Sequence, residues 1–240
     1  MVDHVATLGA SGDVLHPKAG KSGVAPLGQR RFLTMAMISP ADAVIDLYQR
    51  HAATYDGLRG ELLMEGTWLA RFRAQLGPVA SILDIGCGTG QPIARYLMEQ
   101  GHTISGIDSA PAMIALCRAR FPEGDWEVAD MRKLALGRRF GGLIAWDSFF
   151  HLTPDDQRGM FKVFANHVAP AAALLFTTGP AYGEAIGSFE GEALYHGSLD
   201  AREYRTLLAE NGFSVIDHVV EDPHCGGHTI WLAKAAQDAP

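Results

Sequence analysis

The chain has 240 residues, of which 48% are hydrophobic and 20% charged, with a net charge of −7. That length is one domain with appendages, because a domain runs to ~150 residues. The composition excludes disordered and fibrous classes, no apolar run reaches the ~18 residues of a membrane span, and coating nucleic acid would demand a basic surplus.

Residues 1–38 carry no sustained period of two or 3.6. Gly9, Gly12, Gly20, Gly23 and Gly28, with Pro17 and Pro26, break the run. The expectation is a flexible N-terminal tail. Residues 1–40 hold a charge of +2, which leaves −9 on the rest. Ser39-Pro40 then reads as a cap followed by Pro at the first helical position. Val44, Ile45, Leu47, Tyr48 and Ala52 recur at helical spacing, with Tyr48 read as core. A second helix is expected from Glu61 to Leu76, closed by Gly77-Pro78. Residues 39–77 thus form a helical cover to a domain spanning 39–236.

Beyond Pro78, short apolar strands alternate with helices. The strands are expected at residues 80–85, 103–108, 143–146 and 173–177; the helices at 92–100, 110–121 and 154–168. Thr153-Pro154-Asp155-Asp156 is a strong helix start. Such alternation means a parallel sheet covered on both faces. Near the end, a helix at 200–211 precedes two strand-like runs, 213–220 and 228–233. The short link between them demands antiparallel pairing. The expected fold is α/β, a Rossmann-like three-layer sandwich around a seven-stranded, mostly parallel sheet with an antiparallel last strand.

The most informative stretch is Ile82-Leu83-Asp84-Ile85-Gly86-Cys87-Gly88-Thr89-Gly90. A buried strand runs into alternating glycines, which allow a tight turn and close backbone approach to a ligand. A dinucleotide fingerprint needs Gly or Ala where Gln91 stands. Asp108 ends the next strand, 22 residues after Gly86, where a carboxylate can accept both hydroxyls of a ribose. Helix capping is the plainer alternative for Asp108, and turn formation for Asp130. His224-Cys225-Gly226-Gly227-His228 reads as a hairpin turn rather than a ligand set, and no metal is expected. The three separated cysteines, Cys87, Cys117 and Cys225, fit a reducing, cytoplasmic compartment, and the start lacks a signal-peptide pattern.

The run from Ile82 to Gly90, followed by Asp108 and Asp130, resembles the class I S-adenosylmethionine-dependent methyltransferases over roughly residues 40–235, and within them small bacterial enzymes of undefined acceptor. The resemblance implies the cofactor S-adenosylmethionine, with S-adenosylhomocysteine as product. It places Asp84, Gly86, Cys87, Gly88 and Gly90 beside the methionine end, Asp108 at the ribose, and Asp130 and Met131 at the adenine, with Ser109 also among the cofactor-binding residues. Tyr55 would reach the cofactor carboxylate, with Arg59 as a second candidate, and Asp147 would meet the cofactor amino group.

After the fourth strand, Trp146-Asp147-Ser148-Phe149-Phe150-His151 would border the transferred methyl. It lacks the Asn/Asp-Pro-Pro motif of nucleobase-methylating relatives. His151 is the candidate general base, with a packing role as its plain alternative. Residues 178–199, long for a connection, are read as an acceptor lid. The expected activity is methyl transfer to an oxygen or nitrogen of a small-molecule acceptor, by a monomer or homodimer without nucleic-acid or membrane partners. A protein- or RNA-directed methyltransferase and a nicotinamide-dependent oxidoreductase are the rivals.

Overall fold

The computed structural model describes residues 39–237; the expected tail, residues 1–38, lies outside them. Helix α1 (Pro40–Arg59) starts as its sequence demands. The Ser39 hydroxyl accepts the Asp42 amide at 3.1 Å, and Pro40 occupies the first turn. Val44, Leu47 and Ala52 form its buried side. Helix α2 (Gly66–Arg73) begins five residues later than expected. Arg59 bonds the Leu62 carbonyl and the Glu65 carboxylate, which turns this stretch out of helical geometry and leaves Leu62 77% exposed. Trp68, Leu69 and Phe72 then bury against the sheet.

Strands β1 (Ser81–Ile85), β2 (Thr103–Asp108), β3 (Asp125–Val128), β4 (Phe140–Ala145) and β5 (Val168–Thr178) alternate with helices α3 (Ile93–Glu99), α4 (Pro111–Arg120) and α5 (Pro154–His167). They pair in parallel. Two more sheet strands, β8 (Phe213–Asp222) and β9 (His228–Ala235), follow helix α6 (Ala201–Glu210). Strand β9 runs antiparallel to both β5 and β8. Among the described residues the sheet has seven strands in the order β3-β2-β1-β4-β5-β9-β8. The order reverses between β1 and β4, and open α/β sheets bind ligands at that switch, beyond the strand C-termini.

The continuous apolar runs split by alternate residues. Leu83, Leu143 and Leu174 enter a core with Phe149, Phe161 and Phe164 on one face. Ile82, Ile144 and Leu175 enter a second core with Trp68 and Phe72 on the other. Burial on both faces is why these strands read as runs rather than as alternation.

Residues 178–199 are not an open loop. They contain a separate two-stranded antiparallel hairpin, β6 (Gly183–Phe189) and β7 (Glu192–Ser198). Its turn residues, Glu190 and Gly191, both have positive φ, 52° and 77°, the signature of a type I′ turn. Leu194 and Tyr195 pack on Val44 and Leu47 of α1, so hairpin and helix form one cover over the strand ends. Among the described residues, no helix is long and apolar enough to cross a membrane.

Candidate active site

The chain leaves β1 through a tight loop. The Gly86 and Cys87 amides both donate to the Ile107 carbonyl, at 2.8 and 2.9 Å. Gly86 has φ +76°, and a Cβ there would lie 2.3 Å from the Ser148 Cβ. Only glycine satisfies both the left-handed backbone and the close approach. The Asp108 carboxylate is fixed by two backbone donors, Gly88 N at 3.0 Å and Ala110 N at 2.8 Å. Burial nevertheless pushes its pKa up to about 6. Asp84, on the strand before the loop, is pushed up to about 7 by burial first and then by the charges of Asp108 and Glu65.

A cleft of about 740 Å³, counted with its open mouth, lies over this loop. Tyr55, Gly86, Gly88, Asp108, Ser109 and Asp130 line it, as do Met131, Asp147 and His151. Asp84, Cys87 and Gly90, placed beside the cofactor by the sequence reading, do not line it. Asp84 is 4% exposed. The Cys87 sulfur lies 4.0 Å from that of Cys117 in the core, and Gly90 packs beneath Phe121.

Asp130 is bound at 2.7 Å by Arg132, which also reaches Asp42 on α1 at 2.8 Å and Asp156 on α5 at 3.5 Å. Burial opposes ionisation of Asp130, but the Arg132 bonds hold it below the usual carboxylate range. Arg59 is already paired with the buried Glu65. Asp56, beside Tyr55, takes both arms of Arg120, at 2.9 and 2.7 Å.

Two histidines take opposite roles. His228 places Nδ1 2.6 Å from the Cys225 carbonyl and Nε2 2.8 Å from the Asp147 carboxylate. The Cys225 carbonyl takes the hydrogen on Nδ1, and the carboxylate beside Nε2 favours the charged form of the ring. Burial opposes that charge, yet Asp147 holds the His228 pKa above its ordinary value. Burial likewise opposes ionisation of Asp147, and His228 keeps it below its own. Asp147 has φ +49°, a left-handed conformation that a short polar residue tolerates.

His151 is 9% exposed. Its Nδ1 lies 2.8 Å from the Tyr195 carbonyl and its Nε2 3.2 Å from the Tyr48 hydroxyl. The carbonyl assigns the hydrogen to Nδ1, so Nε2 accepts from Tyr48. Burial, then the neighbouring His196, pushes the His151 pKa down to about 4. Tyr48 therefore lines the cavity rather than sitting only in the core. The signal was its spacing, since Tyr48 and Tyr55 stand two helical turns apart on one face. The rings meet edge to face at 5.5 Å. His228 had no local signal, because β9 reaches the end of β4 only across β5.

Residues 82–171 match a family model described as a methyltransferase domain. The chain is 36% identical over 93 residues to the dTDP-3-amino-3,6-dideoxy-alpha-D-glucopyranose N,N-dimethyltransferase of Streptomyces fradiae, covering 38% of this chain and 36% of that one. It is 28% identical over 132 residues to the dTDP-3-amino-3,4,6-trideoxy-alpha-D-glucopyranose N,N-dimethyltransferase of Streptomyces venezuelae, covering 52% and 55%. The chain thus spans about a third to a half of the length of these curated relatives. Among solved structures, the 1,6-didemethyltoxoflavin-N1-methyltransferase of Burkholderia thailandensis, with bound 1,6-didemethyltoxoflavin and S-adenosylhomocysteine, aligns with a TM-score of 0.64. The identity is 21%, over 89% of this chain and 93% of that one, a likeness of fold.

Proposed function

We propose that this chain, which carries the class I methyltransferase fold and matches the methyltransferase-domain model across its glycine loop, transfers a methyl group from S-adenosylmethionine to a nitrogen or oxygen of a small-molecule acceptor. The observation that carries the reading is the cleft at the switch between β1 and β4, floored by Gly86 and Gly88 and walled by Asp108.

The residues present fit that cofactor. A Cβ on Gly88 would press on the Tyr55 ring at 3.3 Å, so the absence of side chains leaves a backbone cradle. Each Asp108 oxygen accepts one amide and retains a lone pair for a ribose hydroxyl. Asp130 stands at the end of β3 as acceptor for an adenine amino group, and Met131 lies beside it. Asp147, ionised by its pairing with His228, suits an ammonium group. Tyr55 closes the methionine end from α1. When bound, S-adenosylmethionine supplies a methyl on a cationic sulfonium. The protein's task is to hold the acceptor near the attack distance, ~3–3.5 Å.

Tyr48, His151 and the β6–β7 hairpin form the acceptor end, with residues 178–199 as its lid. The net charge of −7 supports a small acceptor over nucleic acid or membrane. The buried free thiols of Cys87, Cys117 and Cys225 support a reducing, cytoplasmic compartment.

A thermal-shift assay tests the reading. S-adenosylhomocysteine stabilises the chain and NAD does not; stabilisation by NAD alone refutes it. Asp108→Ala abolishes most of the S-adenosylhomocysteine shift, whereas an unchanged shift assigns Asp108 to the helix start.

A further inference from the structure

The surroundings of His151 bear on which atom is methylated. A histidine that takes a proton becomes an imidazolium, and a carboxylate on its far nitrogen stabilises that charge. His151 has the neutral Tyr195 carbonyl in that place. Three titratable groups face it: Tyr48 from α1, His196 from β7 with rings 5.1 Å apart, and Asp147 from the loop after β4. A charge on His196 repels one on His151. Asp147 is committed to His228. Burial drives the His151 pKa in the same direction, to about 4.

We propose, resting on the methyl-transfer reading above, that the acceptor atom is the nitrogen of a small amine that enters uncharged, and that His151 is a positioning residue for Tyr48. The expected role of His151 as general base gives way to this one. Tyr48 donates its hydrogen to His151 Nε2, so its oxygen offers the cavity only lone pairs. An amine N–H donates to that oxygen and keeps the nitrogen lone pair for attack. That lone pair forms the N–C bond to the methyl. The C–S electron pair stays on sulfur, which becomes a neutral thioether. The nitrogen carries the positive charge until one of its protons leaves to water. A hydroxyl acceptor needs a base to take its proton during the transfer. Among the described residues lining the cleft, none is placed for that. The Nε2 of His151 already takes the Tyr48 hydrogen and no carboxylate backs its Nδ1, and Asp147 lies against His228. The lining also favours a nitrogen that gains charge. Asp147 is balanced by His228, but Asp108 and Asp130 face one guanidinium, Arg132, already shared among Asp42, Asp130 and Asp156.

Two measurements on the full chain test the proposal. Histidine-selective 15N NMR with S-adenosylhomocysteine bound should show His151 neutral and protonated at Nδ1 from about pH 8 down to about pH 5, well below an ordinary histidine midpoint. Tyr48→Phe should shift its Nε2 resonance. A His151 that titrates in the ordinary histidine range overturns the positioning role. The second measurement is S-adenosylhomocysteine release from S-adenosylmethionine with matched pairs: benzylamine against benzyl alcohol, and cyclohexylamine against cyclohexanol. The amines alone should turn over, and the pH inflection of kcat/KM should move with each amine's own pKa. Turnover of the alcohols, or one inflection common to all acceptors, overturns the amine assignment. If no pair turns over while S-adenosylhomocysteine still binds, the NMR state of His151 decides. If S-adenosylhomocysteine fails to bind, the methyl-transfer reading itself is refuted. Tyr48→Phe and His151→Ala should lower amine kcat/KM by similar factors of about ten, with the double variant no worse, because the two act as one unit.

Discussion

Asp108 and Asp84 are carboxyls that the fold buries beside each other, at about 6 and about 7. Both folded-state pKa values lie above the unfolded value of 3.8. The folded chain therefore holds these protons more tightly than the unfolded chain, and their contribution to stability is lost as pH rises from about 4 to about 7. Cofactor binding has the opposite sign, because a ribose diol donates its hydrogens to an ionised Asp108. Affinity for S-adenosylhomocysteine, measured by calorimetry, should fall as pH drops through about 6. A flat profile between pH 8 and pH 5, taken as about the span in which an ordinary aspartate stays ionised, would mean that Asp108 does not hold the ribose. The same residue-scale logic separates the two histidines of the cleft. His228 lies against a carbonyl and a carboxylate, which favour its charged form, whereas His151 faces a carbonyl and a hydroxyl, which favour its neutral form.

The element that matters most for the acceptor is the β6–β7 hairpin. It was legible only as an overlong connection, because the half-buried positions of β6 are Gly183, Ala185, Gly187 and Phe189, with one large apolar side chain among them. Its stability comes from β7, whose Leu194 and Tyr195 lie against α1. Arg50 and His51 of α1 add bonds to Glu192. Leu194→Ala should cost about 2–5 kcal/mol if the packing does not relax. The loss should appear as a raised KM for the acceptor with S-adenosylhomocysteine affinity nearly unchanged. Equal losses in both would place the hairpin over the cofactor instead. The turn, Glu190-Gly191, holds positive φ at both residues, but the pair carries no signal without knowledge of the strands beside it. The second helix shows the converse. Its apolar spacing was correct from Leu69 to Phe72, but the start was misplaced because Arg59 bonds the segment that precedes it.

At the scale of the molecule, β9 ties the parallel half of the sheet to its antiparallel edge. Trp231 is 1% exposed, stacks on Phe176 with ring centroids 5.9 Å apart and donates to Thr178 at 3.1 Å. Trp231→Ala should cost about 3–5 kcal/mol, read as a lower midpoint in denaturant unfolding. A loss under about 1 kcal/mol would mean that the two halves are stabilised separately. The same strand delivers His228 to Asp147, so the edge of the sheet contributes to the cleft.

The amino-acid sequence by itself determined the alternation of the central strands and helices, the glycine loop and the acid at the end of the second strand. These are local matters. Apolar runs, caps and left-handed glycines act through neighbours a few residues apart, and their spacing is written in the chain. The pairings of Tyr48 with His151, Asp147 with His228 and Arg132 with Asp42 and Asp156 were decided by the tertiary structure alone. Each joins residues far apart in sequence that meet only when α1, the hairpin and β9 converge on one end of the sheet. That convergence also sets the protonation of the two histidines, because burial and the partner's chemistry, rather than residue type, determine whether an imidazole carries charge.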